Sequence, residues 1–401
     1  MRIGYISFEY PPDTAYGGIA TYVHQAAVLM KRRGHDVVVF TSSPDHDDQL
    51  IQDDVLVYRV KCAAREDFRN MILPVFTEQH KTKPFELIES PEYFADGLSI
   101  KDAFPGLPLV VKLHTPDSFI RSLTSHYTSV TAKLRYMLGG IRRGKWSDPF
   151  WRWRKKEIDI EYKITSIADQ VHTPSVSLGD IVAGKWGIPR SRILNVPYPF
   201  VPTEKFLTIT PGSTKKRILF LGRLEVRKGI VELVKALPLV FDHHRDARID
   251  FVGRDCPSHL AGITMQTFIQ QQLSEYKDQV AFRQVTPEQI PEVLKEAAVC
   301  VFPSIWENFP NVCLESMSAA RAIVASNKGG MADMLQNEVS GILVDPLDPK
   351  AIARAITVLL ESPEIRESMG KEARQKVLGA YNIDVIGSLM ENKYMQLINN
   401  K

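Results

Sequence analysis

Short uninterrupted apolar runs alternate along this chain with segments whose apolar residues recur at helical spacing. "RIGYISF" opens as a strand and leads through the loop "EYPPDTAYGG" into "IATYVHQAAVLMKRRGH". There Ile19, Tyr22, Val23, Ala26, Ala27 and Met30 share one helical face, and Gly34 ends the helix. Lys31, Arg32 and Arg33 occupy its last turn, where cations suit the helix dipole. "DVVVFTS" resumes as a buried strand, and "FELIES" and "PLVVKLH" continue the alternation. Apolar strands separated by helices predict a parallel sheet covered on both faces.

The pattern lapses over 198–216, "YPFVPTEKFLTITPGSTKK", whose prolines and lack of periodicity read as a linker. It restarts with the strands "RILFLG", "RIDFVG", "QVAFRQV", "AAVCVFPS", "RAIVAS" and "GILVD", again separated by helices. The expected architecture is therefore α/β, with two doubly wound Rossmann-like domains, 1–200 and 215–380, facing a central cleft. The last helix, within 381–401, is expected to pack back on the first domain.

At 401 residues the chain has room for two such cores. Cys62, Cys256, Cys300 and Cys313 are scattered without a C-x-x-C spacing, so neither a zinc site nor a disulfide framework is expected. The N-terminus lacks the pattern of a signal peptide, and no apolar stretch approaches a spanning length. The expected location is the cytosol, or a membrane face without crossing. A formal net charge of +3 discriminates little.

Candidate chemistry gathers at predicted strand ends. In "FLGRLEVRKG" the strand stops at Gly222, Arg223 follows, and Lys228-Gly229 opens a helix. Two cations across such a loop can converge on an anion together with the free N–H groups of the helix start. No G-x-x-x-x-G-K-[ST] or G-x-G-x-x-G occurs, which weighs against kinases and dinucleotide enzymes. In "ENFPNVCLE" the expected helix starts at Pro310, leaving the N–H groups of Asn311 and Val312 free toward an anion. Glu315, four residues beyond Asn311, shares that face, and its carboxylate suits a vicinal diol such as ribose. Glu307 precedes the helix and is available for further hydroxyls. Hydroxyls at both ends with a diphosphate between them describe a sugar nucleotide. "DHDD" (45–48) formally contains D-x-D but reads as a solvated loop, so no metal ligand is expected.

E-x7-E after a strand, preceded by G-R-x4-K-G, resembles the retaining GT-B glycosyltransferases related to glycogen synthase, family four, or group 1. The resemblance spans nearly the whole chain, with "EYPPDTAYGGIATYVHQAAVLMKRRGHDVVVFT" similar to the acceptor-side motif and "LHTPD" supplying His114. It implies that Arg223 and Lys228 bind the diphosphate, Glu315 the ribose and Glu307 the donor sugar. Phe309, Pro310, Asn311 and Val312 would line the donor, Gly17 and Gly18 would admit its phosphates, and His114 would sit beside the reacting sugar. It further implies retention at the anomeric carbon, with no cofactor beyond the nucleoside-diphosphate sugar and no metal. Asn308 and Pro310 stand where many members carry glycine, a change compatible with a helix start. Arg254 and Val285 are candidates for the base pocket, and Glu89 and Glu92 for the acceptor side.

Three other readings share parts of this pattern: a nucleotide-sugar epimerase, a phosphorylase and a non-catalytic sugar-nucleotide binder. The phosphorylase would need a longer chain and a Schiff-base lysine context. A UDP-hexose donor and a saccharide or lipid-linked acceptor are expected, without nucleic acid. Residues 121–156 carry ten Lys and Arg against one acid, Asp148, interleaved with Trp146, Phe150, Trp151 and Trp153. That stretch reads either as a solvated helical excursion with its aromatics inward or as a peripheral contact with anionic membrane.

Overall fold

A computed structural model describes residues 1–14, 17–123, 125–128, 130–142, 149, 151–212 and 215–400, leaving aside the side chain of residue 126. The chain folds as two compact units. One comprises Met1–Ile120, Arg152–Phe200 and Tyr381–Lys401; the other comprises Arg121–Trp151 and Val201–Ala380.

The first unit is built on an eight-stranded sheet. Its strands are β1 (Arg2–Ile6), β2 (Asp36–Ser43), β3 (Asp48–Gln52), β4 (Val55–Lys61), β5 (Leu87–Pro91), β6 (Leu109–Lys112), β7 (Gln170–Thr173) and β8 (Ile193–Asn195). Their order is β3-β4-β2-β1-β5-β6-β7-β8, parallel except at the β3–β4 edge. Of "DHDD", 45–47 are exposed loop, as expected, and Asp48 opens the β3 edge strand. Asp48 lies opposite Arg59 in the ladder and accepts from its Nε and Nη2, at 2.7 and 2.5 Å, so the aspartate is an ion-paired strand residue. The strands β1, β2 and β6 are buried on both faces, as the interior of a parallel sheet requires.

The helix Ile383–Asn399 belongs to this unit through buried polar contacts. Tyr394 donates to Glu89 at 2.5 Å, and Arg33 and His35 bond the Glu391 carboxylate.

The second unit carries six parallel strands: β9 (Arg217–Leu221), β10 (Arg248–Val252), β11 (Val280–Arg283), β12 (Val299–Phe302), β13 (Ala322–Ser326) and β14 (Ile342–Val344). Their order is β11-β10-β9-β12-β13-β14. The chain therefore builds outward from β9 to β11, then crosses back to place β12 on the other side of β9. Loops diverge at such a reversal and leave a crevice at the carboxyl ends of the two strands.

Residues 201–212 are not a free linker. Phe206 and Ile209 are buried, and Arg374 donates to the carbonyls of Phe206 and Ile209. Arg321, itself buried, bonds the carbonyls of Thr210 and Gly212. The stretch lacks periodicity because guanidinium groups distant in sequence, and not a regular apolar face, hold it.

Residues 121–156 are divided between the two units. Trp153 stacks on Phe119 and meets Trp186 edge-on inside the first unit. Trp151 packs against Tyr136 in the second. Trp146, Asp148 and Phe150 lie outside the described residues.

Candidate functional site

In the second unit the loops after β9 and β12 lock together. The turn Val226–Lys228 follows β9, and Ile305 donates to the Arg227 carbonyl at 2.9 Å. Gly229 then starts the helix Ile230–His243 with φ +75°, and a Cβ there would lie 1.7 Å from the Pro303 carbonyl oxygen. Only glycine permits both the left-handed backbone and the contact. Behind β12, Gly330 donates to the Glu307 carbonyl at 2.8 Å.

This framework brings Glu307 to two cations. Lys228 Nζ lies 2.7 Å and Arg227 Nη1 2.9 Å from the same oxygen, Oε1. No hydrogen bond to Oε2 is present among the described residues. Burial pushes the Glu307 carboxyl up, but Lys228 and then Arg227 outweigh it and hold it below the usual range. The group is ionised at neutral pH. Arg227 also bonds Glu225 at 2.9 Å, and exposed Arg223 reaches that same Glu225 oxygen at 3.2 Å.

The structure thus brings Arg223, Lys228 and Glu307 together and adds two residues the sequence did not single out. Arg227 was hidden by its neighbour: only the tight turn sets it beside Lys228 on one carboxylate. Glu225 was legible only as an acid in a loop.

The helix Asn311–Ser318 begins one residue later than expected, with Pro310 as its N-cap at φ −76° and no side chain capping the end. Asn311 and Val312 stand at its start, half-buried, while Phe309 and Pro310 are buried. Glu315 Oε2 is enclosed without a hydrogen-bond partner, and burial pushes this carboxyl up to about 7. An enclosed carboxylate oxygen without a partner carries a desolvation cost that a ligand's hydroxyls would relieve. Arg254 is exposed beyond β10, its carbonyl accepting from Leu224 at 2.8 Å, and Val285 is half-buried beyond β11.

The first unit holds the remaining candidates. Gly17 and Gly18 open the helix Gly18–Arg32 and are exposed, and a Cβ on either would meet nothing within 4 Å. His114 follows β6, with Nδ1 2.7 Å from the Tyr198 hydroxyl and its ring against those of both Tyr22 and Tyr198. Burial first, then Lys112 and Arg65, hold its imidazole well below the usual range, so it is neutral. Glu92 is buried and accepts from the backbone N–H groups of His114 and Thr115, which positions the histidine. Burial raises its carboxyl to about 7 against those bonds. Glu89 is also buried, shared between the hydroxyls of Tyr22 and Tyr394 at 2.6 and 2.5 Å. In place of the open acceptor contacts expected of them, both carboxylates are spent inside the fold. Loop acids are ordinarily solvated; Glu89 lies within the central strand β5 and Glu92 directly after it, where burial demands internal partners.

Two family models divide the chain between them. Residues 16–204 match Glycosyltransferase Family 4, and residues 204–376 match Glycosyl transferases group 1. The chain is a GT-B glycosyltransferase of this family. An uncharacterized glycosyltransferase, MJ1607 of Methanocaldococcus jannaschii, is 26% identical over 98% of this chain and 98% of that protein. Among solved structures, sucrose-phosphate synthase from Thermosynechococcus elongatus has a TM-score of 0.74 at 23% identity, covering 100% of both chains. Anabaena Alr3699/HepE in complex with UDP-glucose has a TM-score of 0.64 at 15% identity, over 99% of this chain and 100% of that one. At these identities the two structures show the shared fold alone. Within the glycosyltransferase, no group of three or more potential metal-ligating His, Cys, Asp or Glu side chains occurs among the described residues. Likewise, no described helix is long and apolar enough to cross a membrane.

Proposed function

We propose that this glycosyltransferase moves a hexose, with retention at the anomeric carbon, from a UDP-hexose such as UDP-glucose to a saccharide or lipid-linked saccharide. The product would enter polysaccharide or glycoconjugate synthesis. The observation that carries the reading is the Glu307 carboxylate pinned by Lys228 and Arg227 at the β9–β12 reversal, eight positions before the unpartnered oxygen of Glu315. Ribose hydroxyls satisfy Glu315, and the sugar's hydroxyls take Glu307 Oε2. The diphosphate draws on Arg223, which is exposed, and on Lys228, together with the free N–H groups at the start of Asn311–Ser318.

Negative charge grows on the departing nucleoside diphosphate. Arg223 and Lys228 offset it where a metal ion would otherwise serve, each by a few kcal/mol in a partly dry site (~4 Å separation). Lys228 is engaged by Glu307 before donor arrives, so donor binding redistributes its hydrogen bonds. His114, kept neutral by burial, acts as a hydrogen-bonding group. The UDP-glucose complex of the fold relative HepE supports the choice of donor.

Incubation with UDP-, ADP- and GDP-hexoses tests the proposal. Slow release of the nucleoside diphosphate is expected, accelerated by a saccharide acceptor. Glu307→Gln should keep nucleotide binding and lose at least roughly tenfold in turnover, because its partner is the sugar. Isomerised sugar without nucleotide release would make the protein an epimerase. Binding without turnover would make it a sugar-nucleotide receptor.

A further inference from the structure

The helix Val130–Arg142 leaves four large apolar side chains in solvent: Val130, Leu134, Leu138 and Ile141 are 72, 56, 62 and 59% exposed. At 3.6 residues per turn they fall within an arc of about 80°, a single stripe along the helix. Isolated exposed apolar residues need no explanation, but a contiguous row does. Arg142 and Arg135 lie about 40–60° to one side of the stripe, whereas Lys133, half-buried, turns its ammonium over the Trp151 ring on the inward side. Arg135 and Arg142 are exposed, and the helix contains no acid. The inward side is the opposite one, where Gly140 is buried and the Tyr136 ring meets Trp151.

We propose that this face docks on an anionic lipid bilayer, the apolar stripe entering the boundary of head groups and acyl chains and the flanking cations meeting lipid phosphates. The charge pattern selects this occupant. A second copy of the same basic face would be repelled, whereas an anionic surface complements the exposed Arg135 and Arg142. Long basic side chains beside an apolar stripe keep their heads in the phosphate layer while their stems lie against lipid. Trp151 and Trp153 are not the anchors, since each packs against its own unit. The inference stands apart from the choice of donor and acceptor.

Flotation of the full chain with vesicles tests it without reference to turnover. The protein should float with phosphatidylcholine–phosphatidylglycerol vesicles at low salt, stay behind with phosphatidylcholine alone, and release as salt screens the charges. Leu134→Ser with Leu138→Ser should reduce the bound fraction roughly tenfold or more, with thermal unfolding unchanged. Arg135→Gln with Arg142→Gln leaves the stripe intact and should lose the preference for anionic lipid by a similar factor. This second pair decides the matter if the serine variant does not fold. Equal recovery from anionic and neutral vesicles, or wild-type flotation of both variants, overturns the proposal. So does sedimentation showing a dimer that the serine pair dissociates, because the stripe would then belong to a second copy.

Discussion

Binding of a sugar nucleotide should release a proton from Glu315. In the unliganded protein burial holds this carboxyl at about 7, against an ordinary 4.5. Such a displacement corresponds to roughly 3 kcal/mol disfavouring the ionised form. Because the folded-state value is the higher one, the protonated form favours the fold. That contribution is complete below about pH 4.5 and lost as pH rises through about 7. A diol donating two hydrogen bonds stabilises the carboxylate and returns it to the ordinary range. The expected release is then about 0.9 proton near pH 6, about 0.5 at pH 7 and under about 0.1 at pH 8. Calorimetry of UDP-glucose binding in buffers of different ionisation enthalpy reads this number directly, since the intact donor has no group titrating there. Glu315→Gln should abolish the release and weaken binding. Release that is absent at pH 6–7, or unchanged in the glutamine variant, would refute the assignment of Glu315 to a ribose-type diol.

Arg227→Gln should lower turnover about tenfold with little change in nucleotide affinity, because it frees Glu307 from one of its two anchors; an equal loss in affinity would move Arg227 into the diphosphate site. Lys228→Ala should instead impair affinity and rate together, as paired binding and kinetic measurements will show. Gly229→Ala should cost several kcal/mol in denaturant unfolding, on the order of 3 or more, since left-handed strain and a clash with the Pro303 carbonyl add; a loss below about 1 kcal/mol would mean that the loop yields. Turnover is expected to survive EDTA. Complete loss restored only by a divalent ion would defeat the two-cation account of the leaving group.

Much of the architecture was legible from local pattern. Interior strands of a parallel sheet are mostly apolar, so β1, β2, β5, β6 and β9–β14 announced themselves as short, largely apolar runs between helices. Arg223, Lys228, Glu307 and Glu315 were legible as candidates for a related reason: each lies within a few residues of a strand end or helix start, a position that local pattern marks. The antiparallel β3 edge ("DQLIQ") was not, because an edge strand can begin on a charge such as Asp48 when a cross-strand partner such as Arg59 meets it.

What pattern could not reach were relations between residues far apart in the chain. Whether Glu89 and Glu92 face an acceptor or the interior depends on Tyr22, Tyr394 and the backbone at His114, up to 305 positions away. Residues 201–212 look like a linker until Arg321 and Arg374 are seen holding their carbonyls. The exposed stripe on Val130–Arg142 reads in sequence like any amphipathic helix with its apolar side turned inward. Periodicity tells which residues share a face, and local backbone geometry tells which lie at a strand's end. Which face is covered, and which charge is paired, follow from packing and desolvation, and these are summed only when distant segments meet.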